Sequence, residues 1–188
     1  MPWSAIHTTA PLPPQLLSPS VSGFGIGADE AVFHNHPMSD SQAHLPHSAL
    51  IDPLQPEARM RLTMHGEFLG AEAGDVLIEQ GKSHASLFYI MEGELEARRE
   101  DDGHMIVLGK IVPGEWMGEL DLIDRSSPVC SVVALKPTRY WAISRNAFDA
   151  FVKEFPEDGV VLLDSLALVL CRRIREVTRK LAWRSLIS

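Results

Sequence analysis

The middle of the chain has the pattern of hydrophobic and polar positions that short β-strands produce. Six segments there are rich in β-branched, aromatic and other apolar residues: 76–80, 87–92, 94–99, 105–112, 130–135 and 139–143. Glycines interrupt these segments at intervals of about 10 to 12 residues, which is the turn spacing of an all-β barrel or sandwich. Asp102-Gly103 in addition predicts a tight hairpin. The pattern therefore predicts a mainly β domain.

Helical periodicity flanks this β-rich region on both sides. Before it, Leu54, Ala58 and Leu62 recur every fourth residue and predict a short amphipathic helix. After it, Ser144 is a suitable N-cap for a helix that Pro156 ends. That helix has four apolar residues on one face: Phe148, Phe151, Val152 and Phe155.

A second C-terminal helix is predicted over about 157–184. Apolar residues spaced three or four apart form a heptad-like seam along it: Leu163, Leu166, Leu170, Ile174 and Val177. Such a seam indicates a partner helix and therefore a homodimer. The same spacing is also typical of a helix that packs only on its own β domain, so both interpretations stay open.

The first part of the chain has a different composition from the rest. Residues 1–48 are rich in Pro, Ser, Gly and His and contain no Lys or Arg. This composition predicts a flexible arm, with the folded domain at 49–188. The arm contains a group of histidines: His34, His36, His44 and His47. Their spacing matches no metal-ligand template, so we expect no metal site.

Charge and composition exclude several classes of function. A formal net charge of -8 and a pI near 5.4 argue against nucleic acid as the main partner. Two cysteines are too few for a disulfide framework, and no apolar run approaches the roughly 20 residues needed to cross a bilayer. No signal peptide is evident, so a cytoplasmic location is expected. The sequence shows no nucleophile-base pair, no phosphate-binding loop of a nucleoside triphosphatase and no spacing typical of metal ligands. We therefore expect that the protein is not an enzyme.

Residues 113–133, PGEWMGELDLIDRSSPVCSVV, have the character of a ligand site. Two glycine-glutamate turns, Gly114-Glu115 and Gly118-Glu119, precede a short apolar-acidic segment. Bare backbone N–H groups beside such glycines can cradle an anion. An anion site also needs a cation, and the position after Pro128 holds Val129. The segment therefore raises the question of whether a phosphate still binds there.

Four motifs occur in order along the chain: GDVLIEQG at 74–81, LFYIMEGEL at 87–95, PGEWMGEL at 113–120 and CRRI at 171–174. Together they resemble the cyclic nucleotide-binding domain family, as in catabolite activator proteins and protein kinase A regulatory subunits. The resemblance covers about residues 50–184. It implies an eight-stranded jelly-roll β-barrel with a short N-terminal helix and two C-terminal helices. It also implies that the last helix closes over the base of the ligand and forms the dimer interface.

Carried over by position, the family's phosphate-binding cassette defines a predicted ligand site. In the family, backbone amides and a cassette arginine hold the cyclic phosphate, and a glutamate holds the ribose 2′-hydroxyl. The matching ligand-site positions are Gly118, Glu119, Leu120, Val129, Cys130 and Ser131. Glu119 matches the ribose glutamate, whereas Val129 falls on the arginine.

Valine at this position lacks the charged fork that arginine offers to phosphate. Losing a charge-assisted partner of an anion costs roughly 2–5 kcal/mol. Arg125 and Lys136 are the cations that could substitute from nearby positions.

Two functions follow as expectations. The first is a non-enzymatic regulatory or sensor module whose binding of cAMP, cGMP or a cyclic dinucleotide is weakened or altered by Val129. The alternative is a dimerisation or protein-interaction module that acts without ligand. The chain ends a few residues after the long helix, so we expect no DNA-binding domain in it and no membrane contact.

Overall fold

The computed structural model of the protein describes residues 44–187. Most of the predicted arm, including His34 and His36, lies outside the described residues. The chain order is α1 (Pro56–Met64), β1 (Glu67–Ala71), β2 (Val76–Ile78), β3 (Ser86–Glu92), β4 (Leu95–Asp101), β5 (His104–Ile111), β6 (Trp116–Met117), α2 (Glu119–Asp124), β7 (Ser131–Ala134), β8 (Thr138–Ser144), α3 (Arg145–Glu154) and α4 (Pro156–Ile187).

The eight strands form two four-stranded antiparallel sheets. One sheet has the order β1-β8-β3-β6 and the other β2-β7-β4-β5, so neighbours in space are mostly distant in sequence. Ile90 and Tyr140 of the first sheet pack with Leu95 and Val132 of the second in one buried cluster. The mainly β fold with flanking helices is therefore confirmed. All six predicted strands are present, and β1 and β6 are additional.

A second buried cluster joins the helices to the first sheet. Leu62 of α1 and Phe151 of α3 pack there with Trp141 of β8. The Ser144 hydroxyl accepts a hydrogen bond from the Ala147 N–H at 3.3 Å, as its predicted role as N-cap of α3 requires. In the part of the chain that the structure describes, no helix is long and apolar enough to cross a membrane.

The long helix α4 divides the predicted seam between two environments. Leu166 is only 1% exposed and lies in the core of its own chain, so its side chain is not on a free surface. Ile174 and Val177, by contrast, are 64% and 56% exposed. The difference arises because the first half of α4 packs on the domain, whereas the second half extends past the core.

Gly93 between β3 and β4 provides a test of this packing. Its φ is +100°, and a Cβ there would stand 2.3 Å from Thr138 Oγ1. We expect Gly93→Ala to lower the free energy of unfolding by about 3 kcal/mol, combining left-handed strain of about 1–2 kcal/mol with the clash. Gly103→Ala is the matched control, because Gly103 has a φ of +74° and no atom within 4 Å. Equal losses in urea denaturation would contradict the steric account.

Candidate functional site

The turn before α2 sets the position of the cassette glutamate. Gly118 has a φ of +85°, and a Cβ there would lie 2.1 Å from the Ser86 carbonyl oxygen. Only glycine fits both the backbone conformation and the close approach to β3. The following residue, Glu119, begins α2 and is buried. The sequence motif Gly-Glu thus has a direct structural reason.

A cleft of about 410 Å³ lies between the cassette, β5 and α4. Five of the six predicted ligand-site residues line it: Gly118, Glu119, Leu120, Val129 and Cys130. Residues of β5 and α4, which the cassette motif does not predict, also line the cleft: Lys110, Arg173, Glu176 and Val177. The cleft therefore joins segments that are far apart in the sequence.

Ser131 is the predicted site residue that does not line this cleft. Successive residues of a strand point to opposite faces, so Ser131 points away from the face that Cys130 and Val132 share. Its hydroxyl accepts a hydrogen bond from the Gln80 N–H at 2.9 Å. It lines a separate cleft of about 340 Å³ together with Gln80 and Arg98.

Arg173 of α4 forms the closest charge contact with the cassette glutamate. Glu119 is 3% exposed, and its Oε1 accepts a hydrogen bond from Arg173 Nη1. Arg173 Nη2 donates to the Trp116 carbonyl oxygen, so the guanidinium is held on two sides. This contact links residues 54 positions apart, and the only sequence signal for it is the CRRI motif at 171–174. The buried carboxylate is thus charge-compensated in the structure.

Neither cation named as a substitute for the cassette arginine lines the cleft. Arg125 is exposed at the end of α2, where its backbone is left-handed with a φ of +59°. Lys136 Nζ bonds to Glu94 Oε2 at 2.7 Å. Hydrogen bonds from Lys110 and Lys136 hold the pKa of Glu94 at about 2. A different cation approaches the valine, because Arg99 Nη1 donates to the Val129 carbonyl oxygen at 3.3 Å.

A histidine-aspartate contact joins the cassette helix α2 to the loop before β3. His84 Nε2 and Asp121 Oδ2 are 2.8 Å apart, but the ring N–H is not aligned with the oxygen and forms no hydrogen bond. His84 Nδ1 accepts from the Ser86 N–H at 3.1 Å. Burial lowers the pKa of His84 to about 4. Burial, with the negative charges of Asp124 and Glu119, raises the pKa of Asp121 to about 6.

These two shifts predict opposing effects of pH on stability. Because the folded pKa of Asp121 is raised, its contribution is present at low pH and is lost as pH rises from about 4 to 6. Because the folded pKa of His84 is lowered, its contribution is lost as pH falls from about 6.5 to 4. We expect the free energy of unfolding of the wild type to vary little between pH 4.5 and 6.5 on account of this pair.

Single variants should separate the two slopes. Asp121→Asn should be relatively less stable at pH 4.5 than at pH 6.5, and His84→Gln the reverse, each by about 2 kcal/mol. Urea denaturation at several pH values measures both. Parallel profiles for the two variants would contradict the assignment.

Comparison with known proteins places this site in a family context. The profile of the cyclic nucleotide-binding domain matches residues 69–155. A Pycsar effector protein from Xanthomonas perforans is 32% identical over 125 residues, which are 64% of this chain and 37% of that protein. The first curated relatives are longer proteins, of which the chain spans between 8% and 37%.

Solved structures resemble the same region. The catabolite activator protein of Thermus thermophilus aligns with a TM-score of 0.65 and 27% identity, over 73% of this chain and 63% of that one. The regulatory domain of Toxoplasma gondii PKA, in a co-crystal with cAMP, aligns with a TM-score of 0.53 and 26% identity, over 57% of this chain and 41% of that one.

Proposed function

Because residues 69–155 form a domain of the cyclic nucleotide-binding family, we propose that the chain is a regulatory module that binds a cyclic nucleotide in the cleft beside α2. The observation that carries the proposal is Glu119, a buried carboxylate at the wall of the cleft behind a glycine that no other residue can replace. Arg173 compensates this charge, and the carboxylate also lines the cleft, where it can accept a hydrogen bond from a ligand hydroxyl.

The proposed orientation of the ligand follows from the two ends of the cassette. Glu119 is the acceptor for a ribose hydroxyl, and the cyclic phosphate lies toward Val129 and Cys130. The phosphate end lacks the cassette arginine, so we propose that affinity or ligand preference differs from that of a cassette with arginine. The proposed role is regulatory, and it requires no catalytic step by this chain.

The long helix provides a route from the ligand to a partner. Arg173 and Val177 of α4 line the cleft, and the ligand's ribose would meet the carboxylate that Arg173 now binds. Occupation of the cleft would therefore act on α4. We propose that this helix transmits the regulatory signal.

Isothermal titration calorimetry tests the proposal directly. The ligands are cyclic purine and pyrimidine mononucleotides and cyclic dinucleotides, with the matching linear 5′-monophosphates as controls. We expect saturable binding of at least one cyclic nucleotide and weaker binding of its linear counterpart. Absence of heat with every cyclic nucleotide at millimolar concentration would refute the proposal.

A second candidate function is dimerisation that does not depend on ligand. It is favoured by the apolar side chains that α4 exposes, namely Val160, Leu163, Leu168, Ile174 and Val177. Exposed apolar surface of this kind marks interaction sites, and a second copy of the helix is the proposed occupant. Light scattering without ligand tests this candidate. A monomer at all concentrations would remove this candidate.

A further inference from the structure

The phosphate end of the cleft needs a positive charge that the cassette itself does not supply. We propose that Arg99 of β4 is the phosphate-binding cation of this protein and takes the place of the missing cassette arginine. The inference rests on the proposed function, since it concerns the same cleft. In the family the phosphate-binding arginine belongs to the cassette, whereas Arg99 belongs to the neighbouring strand β4.

The register of the second sheet brings Arg99 to the correct side. Ala97 pairs with Val132, and both line the cleft. The next pair, Arg98 and Ser131, faces the separate cleft on the other side. Because side chains alternate along a strand, Arg99 returns to the side of β4 that Ala97 occupies, at the edge of the cleft rather than among its lining residues. One further step in the antiparallel register places it beside Cys130.

A hydrogen bond locates the guanidinium at the valine. Arg99 Nη1 donates to the carbonyl oxygen of Val129, which itself lines the cleft. The positive charge of Arg99 also opposes the rise in the pKa of the Cys130 thiol, a rise caused mainly by burial and also by the negative charge of Asp121. The hydrogen bond thus places the cation at Val129, and the strand register together with this electrostatic effect supports its position near Cys130.

Arg99 is also weakly held in the structure. Its bond to the Val129 oxygen is 3.3 Å long, and its other contact is Asp101 Oδ1 at 3.7 Å. The two side chains of that ion pair are 42% and 58% exposed, so solvent screens their attraction. Turning the guanidinium from the carbonyl oxygen toward a phosphate would therefore break only weak contacts.

The other cations near the cleft have closer carboxylate partners. Arg173 bonds to Glu119, and Lys110 bonds to Glu94. Both would have to leave a carboxylate before they could serve a phosphate. Arg99 has only a solvent-screened carboxylate contact at 3.7 Å besides its neutral acceptor, and its planar fork suits two phosphate oxygens.

The test is calorimetric titration of the full chain with cAMP and, in parallel, cGMP. Arg99→Met retains much of the aliphatic stem and removes the charge. We expect it to weaken binding by about 30-fold or more, the loss typical when one partner of a charged pair is truncated. Arg98→Met is the matched control on the adjacent position of the same strand, and its affinity should stay within about twofold of wild type because Arg98 faces the other cleft.

Relocation of the charge separates phosphate binding from a structural role. The double variant Arg99→Met with Val129→Arg should recover the lost affinity of about 30-fold or more, while adenosine, which lacks the phosphate, should bind Arg99→Met and wild type alike. Thermal denaturation checks that each variant is folded. If wild type binds and Arg99→Met binds equally well, Arg99 is not the cation and the proposed function stands. If wild type binds neither nucleotide, both proposals fail for these ligands.

Discussion

Val129→Arg is expected to tighten cyclic nucleotide binding by about 30-fold or more. The substitution restores an always-charged fork at the position where the family's cassette holds phosphate. A charge-assisted contact with an anion corresponds to roughly 2–5 kcal/mol, of which 2 kcal/mol is about 30-fold in affinity. We expect the lower end of that range, because Arg99 already lies against the Val129 carbonyl and two adjacent cations repel each other. Calorimetry with cAMP and cGMP measures the gain.

Two comparisons make this result specific. Val129→Met changes size without adding charge, and it should leave affinity within a few-fold of wild type. In a chain that also carries Arg99→Met, the gain from Val129→Arg should be larger than in wild type, because the two arginines then no longer compete for one phosphate. Absence of any gain would show that the cassette backbone no longer presents a phosphate site.

The sequence was sufficient for the fold because its signals are local. Asp102-Gly103 predicted the β4-β5 hairpin, and the structure gives both residues positive φ values of 49° and 74°. The turn glycines and strand composition likewise placed β2 to β5, β7 and β8. The family resemblance drawn from these motifs is confirmed. β6 was missed because it has only two residues, too few for a periodicity to show.

The candidate site was only partly accessible to sequence reasoning. Motif positions placed Gly118 to Leu120, Val129 and Cys130 at one cleft. They also predicted Ser131, whose side chain points away from this cleft. Successive side chains of a strand point to opposite faces, so Ser131 and Cys130 lie on different sides of the sheet. Arg173 and Arg99 could not be assigned from spacing alone. Their relation to the cassette depends on how α4 packs against the cassette and on the register of β4 with β7, and both are long-range properties.

Arg173→Met is expected to lower the free energy of unfolding by about 2 kcal/mol. It leaves Glu119, which is 3% exposed, without its charge partner inside the domain. Breaking a fully buried pair in this way costs about 3–5 kcal/mol. We expect the smaller loss of about 2 kcal/mol because Arg173 is itself 43% exposed and water can reach the vacated space. Urea denaturation at pH 7 measures the loss.

A double-mutant cycle shows whether the pair itself is responsible. Glu119→Gln removes the buried charge and leaves an arginine that solvent still reaches, so we expect a smaller loss of about 1 kcal/mol. Adding Arg173→Met to Glu119→Gln should then cost little, because no unpaired carboxylate is created. Arg172→Met, an exposed neighbour on the same helix turn, should leave stability unchanged. If Arg172→Met and Arg173→Met destabilise the protein equally, the contact between α4 and the cassette does not stabilise the fold.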